Sequence, residues 1–146
     1  MARELEIFTD GACSGNPGEA AIAVIIKEEG KVIKEVSLAI GHSTNNVAEY
    51  TAIIYALQEA LILKADKVNL FTDSELIYNQ MEGVYSVKDP KIKTLFDQVQ
   101  HLKSGLKIFQ IHHIPREQNK NADKLAKKAI IAAKQSSKGS QFVSVL

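Results

Sequence analysis

This sequence predicts a mixed α/β domain, on three observations. Short apolar runs rich in Ile, Val and Phe alternate with longer helix-forming stretches. The first three runs follow one another with only turns between them, as an antiparallel meander does, whereas helical stretches set the later two apart. The tripeptide FTD closes two of the runs, at 8–10 and again at 71–73. Residues 4–10 form the first strand. AAIAVIIKE (20–28) is apolar on both faces and therefore central in its sheet. Glu29 and Gly30 turn the chain into KVIKEVSLAI (31–40), where lysines and glutamates interrupt the apolar residues as on an edge strand. Residues 46–63, NVAEYTAIIYALQEALIL, are helix formers and apolar nearly all round, which predicts a largely buried helix. KVNLFTD (67–73) is the fourth strand, a short helix follows from Ser74, and another occupies 90–103. LKIFQIHHI (106–114) is the fifth strand. NKNADKLAKKAIIAAK (119–134) is the last helix, with Ala122, Leu125, Ala126, Ala129 and Ile130 on its apolar stripe. Residues 135–141 are polar and expected to be loose, ahead of an apolar end, FVSVL, that either docks on the body or frays. The expected organisation is one domain over 1–134 and a tail over 135–146.

A chain of 146 residues is one domain's worth of sequence, and a domain of that size buries roughly 68–70% of the surface its unfolded chain exposes. No apolar run approaches the roughly 20 residues of a membrane span, and Arg3 followed by Glu4 and Glu6 does not lay out a signal peptide. The expectation is a cytoplasmic protein with no membrane partner, working as a monomer. One cysteine, Cys13, cannot form an internal disulfide, in keeping with a reducing compartment. The net charge of +1 conceals polarity: residues 1–73 hold 6 Lys+Arg against 11 Asp+Glu, and residues 74–146 hold 12 against 6. Such a division suits either a solvated C-terminal helix face or a polyanionic partner.

Four carboxylates stand where carboxylates are costly. Asp10 closes the first strand and Asp73 the fourth; if those strands are parallel neighbours, the two acids lie about 4.8 Å apart in backbone spacing. Like charges that close repel, and each raises the other's pKa unless a cation intervenes. The bland alternative is that each Asp caps the segment after it. Glu49 sits in the first turn of the buried helix on the stripe of Ile53, Leu57 and Ala60, and Asn46 with Glu49 also fits a capping box, so cap and ligand stay equally open. Asp123 repeats the ambiguity in the first turn of the last helix, among lysines. GACSGNPG lacks the Lys-Ser/Thr ending of a P-loop. Its glycines instead permit close approach by a bulky ligand, with STNN (43–46) as a second lip.

TDGACSGNPG, TNNVAEYTAI, FTDSELI and PREQNKNADKLAKKA, in that order and spacing, resemble type 1 ribonuclease H over about residues 3–134. The resemblance implies a ribonuclease H-like fold: a five-stranded mixed sheet, an antiparallel meander plus parallel strands, flanked by helices. It implies endonucleolytic cleavage of the RNA strand of an RNA/DNA hybrid, leaving 3′-hydroxyl and 5′-phosphate ends. Asp10, Glu49, Asp73 and Asp123 match the family's metal-binding carboxylates, which implies two Mg²⁺ ions with substrate, or Mn²⁺. By the same resemblance Gly11, Cys13, Asn16, Asn45, Asn46 and Ser74 line the hybrid surface, Thr44 meets DNA phosphate, and Asn119 belongs with the nucleic-acid contacts or shapes the loop with Glu117. Two departures stand out. The basic extension after the second helix is absent, since MEGVYSVKDPKIKTLF passes almost directly to the next helix. In the loop before Asp123, Arg116 is the expected substitute for the family's histidine, with His113 its competitor.

Overall fold

A computed structural model describes residues 2–143 of the chain, with side-chain surroundings through residue 136. The chain orders its elements as β1 (Glu4–Ser14), β2 (Gly18–Glu28), β3 (Lys31–Ser43), α1 (Asn45–Ile62), β4 (Lys67–Thr72), α2 (Glu75–Met81), α3 (Pro90–Lys103), β5 (Ile108–His113), a 3-10 turn (Arg116–Asn119) and α4 (Lys120–Val143). The five strands form one sheet in the order β3-β2-β1-β4-β5. β1 pairs antiparallel with β2 and β2 with β3, whereas β1–β4 and β4–β5 are parallel. The meander and the edge position of β3 are therefore as the sequence predicts.

The patterning explains the layers. β2 is buried along nearly its whole length because both faces are covered. Val24 and Ile26 join Leu5, Ile7, Leu70, Tyr50, Ile53 and Leu57 in the main core under α1 and α3. Ala23 and Ile25 meet Ala122 and Ala126 of α4 on the opposite face. Small residues on that second face let α4 lie close to the sheet, and Ala21 against Ala129 and Ile130 extends the same seam. At the end of β1 away from Asp10, Arg3 ties four segments together. Its guanidinium donates to Glu28 at 2.8 and 3.1 Å and to the Leu63 carbonyl at 2.7 Å, and its backbone N–H donates to Asp66 at 2.6 Å.

Several boundaries differ from expectation: β3 runs to Ser43 and β5 covers only Ile108–His113, and three further differences bear on the site or the tail. GACS is not a loop but the end of β1, paired with β2 from Gly11↔Ile22 to Ser14↔Glu19; pairing within a hairpin overrides the weak strand preference of small residues. The last helix does not stop at 134. Its bounds, Lys120–Val143, take in the stretch expected to be loose, because extending a formed helix avoids the cost of nucleation. Whether FVSVL docks lies outside the described residues. Asn119 ends the 3-10 turn rather than opening the helix.

Candidate active site

Continuing the β1–β4 register beyond Phe8↔Phe71 sets Asp10 opposite Asp73, so the repeated FTD does mark matching ends of parallel neighbours. α1 delivers the third acid. Thr44 caps this helix, its Oγ1 accepting from the Val47 N–H at 3.3 Å, which leaves Glu49 too deep in the helix for a capping box. Glu49 turns instead toward β1 and its Oε1 accepts from the Gly11 N–H at 3.2 Å. This contact requires glycine: a Cβ at position 11 would lie 2.4 Å from the Ala48 carbonyl carbon and 2.5 Å from the Glu49 nitrogen.

One oxygen from each of Asp10, Glu49 and Asp73 can be chosen so that all lie within 4.8 Å of one another. Asp10 is 5% and Glu49 9% exposed. Burial, then the charge of Asp73, with Asp123 adding, pushes Asp10 up to about 7, although its hydrogen bond with Glu49 works the other way. Burial and the charge of Asp10 raise Glu49 well above the ordinary carboxylate range. Such a set is under-compensated by protein alone. Hard oxygen donors, convergent and partly buried, fit a divalent cation of the Mg²⁺ or Mn²⁺ kind.

The acids floor a cleft of about 350 Å³ that is also lined by Gly11, Cys13, Asn45, Asn46, Ser74, Arg116, Asp123 and Lys127. Asp123 shares the cleft but stands outside the three-acid group, and its Oδ2 pairs with Lys127 at 3.0 Å. Asn16 and Thr44 line a neighbouring hollow with Asn46, Gln80 and Lys91, and the Asn16 side chain accepts from the Asn45 N–H at 3.1 Å, joining the two lips. Ser74 caps α2 through the Ile77 N–H at 3.2 Å. The Cys13 thiol donates to the Ser43 carbonyl at 3.3 Å; burial and the charge of Glu49 push its pKa up, so it is a polar wall and not a nucleophile.

One expected residue sits elsewhere, and the competition between Arg116 and His113 falls as expected. Asn119 is 2% exposed, and its amide donates to Asp73 Oδ2 and to the Thr9 carbonyl, each at 2.9 Å. It lies beneath the site and not on the open surface where a nucleic-acid contact was expected. His113 packs beside Tyr78 of α2, ring centroids 5.9 Å apart, and is absent from the residues lining the cleft, whereas Arg116 is among them. Sequence reasoning passed over Lys127 as an individual residue; its place four residues after Asp123 on one helix face was the available signal.

A family model described as reverse transcriptase-like matches residues 8–129. Ribonuclease HI of Halobacterium salinarum is 37% identical over 124 residues, covering 84% of this chain, which spans 62% of that relative's length. Ribonuclease H of Nitrobacter hamburgensis is 34% identical over 142 residues, covering 88% of this chain and 92% of its own. Among solved structures, LC11-RNase H1 in complex with an RNA/DNA hybrid is 44% identical with a TM-score of 0.83, covering 88% of this chain and 98% of that one. The N-terminal RNase H domain of a Mycobacterium tuberculosis protein is 37% identical with a TM-score of 0.89, covering 93% and 99%. Sheet order, the meeting of acids from β1, α1 and β4, and a match that takes in 84–93% of this chain in each of these relatives lead to one conclusion: the chain belongs to the ribonuclease H family.

Proposed function

We propose that this protein is a metal-dependent endoribonuclease that hydrolyses the RNA strand of RNA/DNA hybrids, leaving 3′-hydroxyl and 5′-phosphate ends. The observation that carries the reading is the convergence of Asp10, Glu49 and Asp73 within 4.8 Å at the floor of an open polar cleft. Mg²⁺, or Mn²⁺ in its place, would be held by these three with Asp123 as a fourth carboxylate, and a two-ion arrangement would stabilise the attacking and leaving oxygens of an in-line displacement. Asp10, central between the other acids, is the least replaceable of the four. Glu49 is fixed by the Gly11 N–H, and Arg116 supplies a permanent positive charge at the rim for phosphate or product.

The hybrid's wide, shallow minor groove presents 2′-hydroxyls, which suit backbone and short polar groups such as those at Gly11, Cys13, Asn16, Asn45, Asn46 and Ser74. Thr44 adds a hydroxyl at the neighbouring hollow, where the DNA strand's phosphate would lie. A monomer acting in the cytoplasm, with the nuclease unit over 1–134 and a tail over 135–146, completes the reading. No helix among the described residues is long and apolar enough to cross a membrane. The decisive experiment compares matched RNA/DNA, RNA/RNA and DNA/DNA duplexes with Mg²⁺ or Mn²⁺. Cleavage of the RNA strand in the hybrid, abolished by chelator, is expected; an uncut hybrid with either metal would sink the proposal.

A further inference from the structure

Asn119 is a buried polar side chain that bonds to the acid cluster, and its bonding is specific. A carboxamide NH₂ carries two hydrogens. Here both are used on oxygens 2.9 Å away, one on the Asp73 carboxylate and one on the Thr9 carbonyl, the residue before Asp10. The amide cannot be turned over, because its oxygen would then face two acceptors. Its Oδ1 is buried with no hydrogen-bond partner, an arrangement that costs free energy and persists only because the other end of the amide is so well placed. The side chain also stands at a junction, since Asn119 closes the 3-10 turn that begins at Arg116 and directly precedes α4, which carries Asp123 in its first turn.

We infer that Asn119 is a positioning residue for the metal-binding acids: one buried amide nitrogen aims the Asp73 carboxylate, pins β1 beside Asp10, and locks the Arg116 turn and the start of α4 to both. The inference rests on the metal-dependent reading above. The nearest replacements in size and chemistry do not supply this function at this place. Asp offers oxygens where two donors are needed, Ser offers a single hydrogen, and Gln carries the amide one methylene too far. A carboxylate that is free to rotate presents its oxygens to a cation only part of the time, so loss of such an orienting bond typically weakens metal affinity or activity by about 10–100-fold.

The test is calorimetric titration of Mn²⁺ into wild type, Asn119→Ala and Asn119→Asp without nucleic acid, alongside hybrid-cleavage kinetics and thermal melts. Weakening of Mn²⁺ binding by about 10–100-fold is expected for Asn119→Ala, with kcat reduced, KM for hybrid nearly unchanged, and kcat partly restored by excess Mn²⁺. A residue that merely stiffened the loop would lower the melting temperature and leave Mn²⁺ affinity alone. Affinity within about twofold of wild type in a folded variant would overturn the assignment. If both variants fail to fold, the wild type still decides. In ¹⁵N-labelled protein the Asn119 NH₂ signals should exchange slowly with solvent and shift along the Mn²⁺-competable Mg²⁺ titration, whereas fast-exchanging, Mg²⁺-insensitive signals overturn it. Wild type that binds Mn²⁺ yet leaves hybrid uncut would instead remove the nuclease reading while leaving the positioning role standing.

Discussion

Asp10 couples the chemistry of the site to the stability of the fold. Its pKa of about 7 in the folded chain stands above the ordinary 3.8. Between those values the folded chain holds a proton that the unfolded chain has released, so the group's contribution to stability is complete below about pH 4 and declines as pH rises through about 7. With each pKa unit worth about 1.4 kcal/mol, the ceiling is about 4 kcal/mol. Metal-free protein should therefore melt several degrees lower at pH 8 than at pH 5. Asp10→Asn should flatten that slope, stabilise the metal-free form at pH 8 and abolish cleavage; melts in chelator and a turnover assay check both, and unchanged slope or near wild-type turnover would contradict the account. Arg116 and His113 divide in the same way. Arg116→Ala should slow turnover substantially, because Arg116 is the guanidinium lining the cleft, while His113→Ala, which loses a contact with Tyr78, should act only mildly and leave the pH–rate profile intact. Kinetics from mildly acidic to alkaline pH separate them, and a large loss confined to His113→Ala would restore a histidine as proton carrier.

Between elements, the contact that matters most is the seating of α1 on β1. Gly11→Ala would push a methyl group into the backbone at Ala48 and Glu49, so the helix must lift or the strand must bend. A loss of about 1–3 kcal/mol is expected from the overpacking, with a disproportionate fall in kcat because Glu49 moves with the helix; denaturant melts and cleavage rates measure the two effects. This seating also shows what could be read from the sequence. The FTD repeat raised the parallel pairing only as a condition, which the β1–β4 register meets, and α3 was bounded at about 90–103, where Asp89 caps the helix and Pro90 opens it. The small residues of GACS carried no such signal, since their strand character comes from their partners in β2 and not from themselves. Glu49 remained ambiguous until Thr44 proved to be the cap. Asn119 was misplaced because burial of a polar residue in a turn depends on what closes over it, which one-dimensional patterning does not encode.

At the scale of the molecule, α2 ends at Met81 and α3 begins at Pro90, so there is no basic extension between them to grip a duplex. Hybrid affinity should be modest and its salt dependence shallow, with each phosphate contact worth a slope of about 0.9 on a B-DNA-like duplex. Binding measured with Asp10→Asn across a salt series checks this, and a steep slope would mean that the exposed lysines of α4 provide the grip instead. β1, which contributes Asp10, is an interior strand of the sheet although it comes first in the chain. Its β2 side closes locally as a hairpin, but its β4 side stays open until the chain has passed through β2, β3 and α1. During synthesis, then, β1 waits with one edge unpaired, and Asp10, Glu49 and Asp73 cannot gather until β4 docks. A chain cut before β4 accordingly has an open edge on β1 and no three-acid site, and the cleft is complete only once the segment bearing Asn119 and Asp123 has joined it.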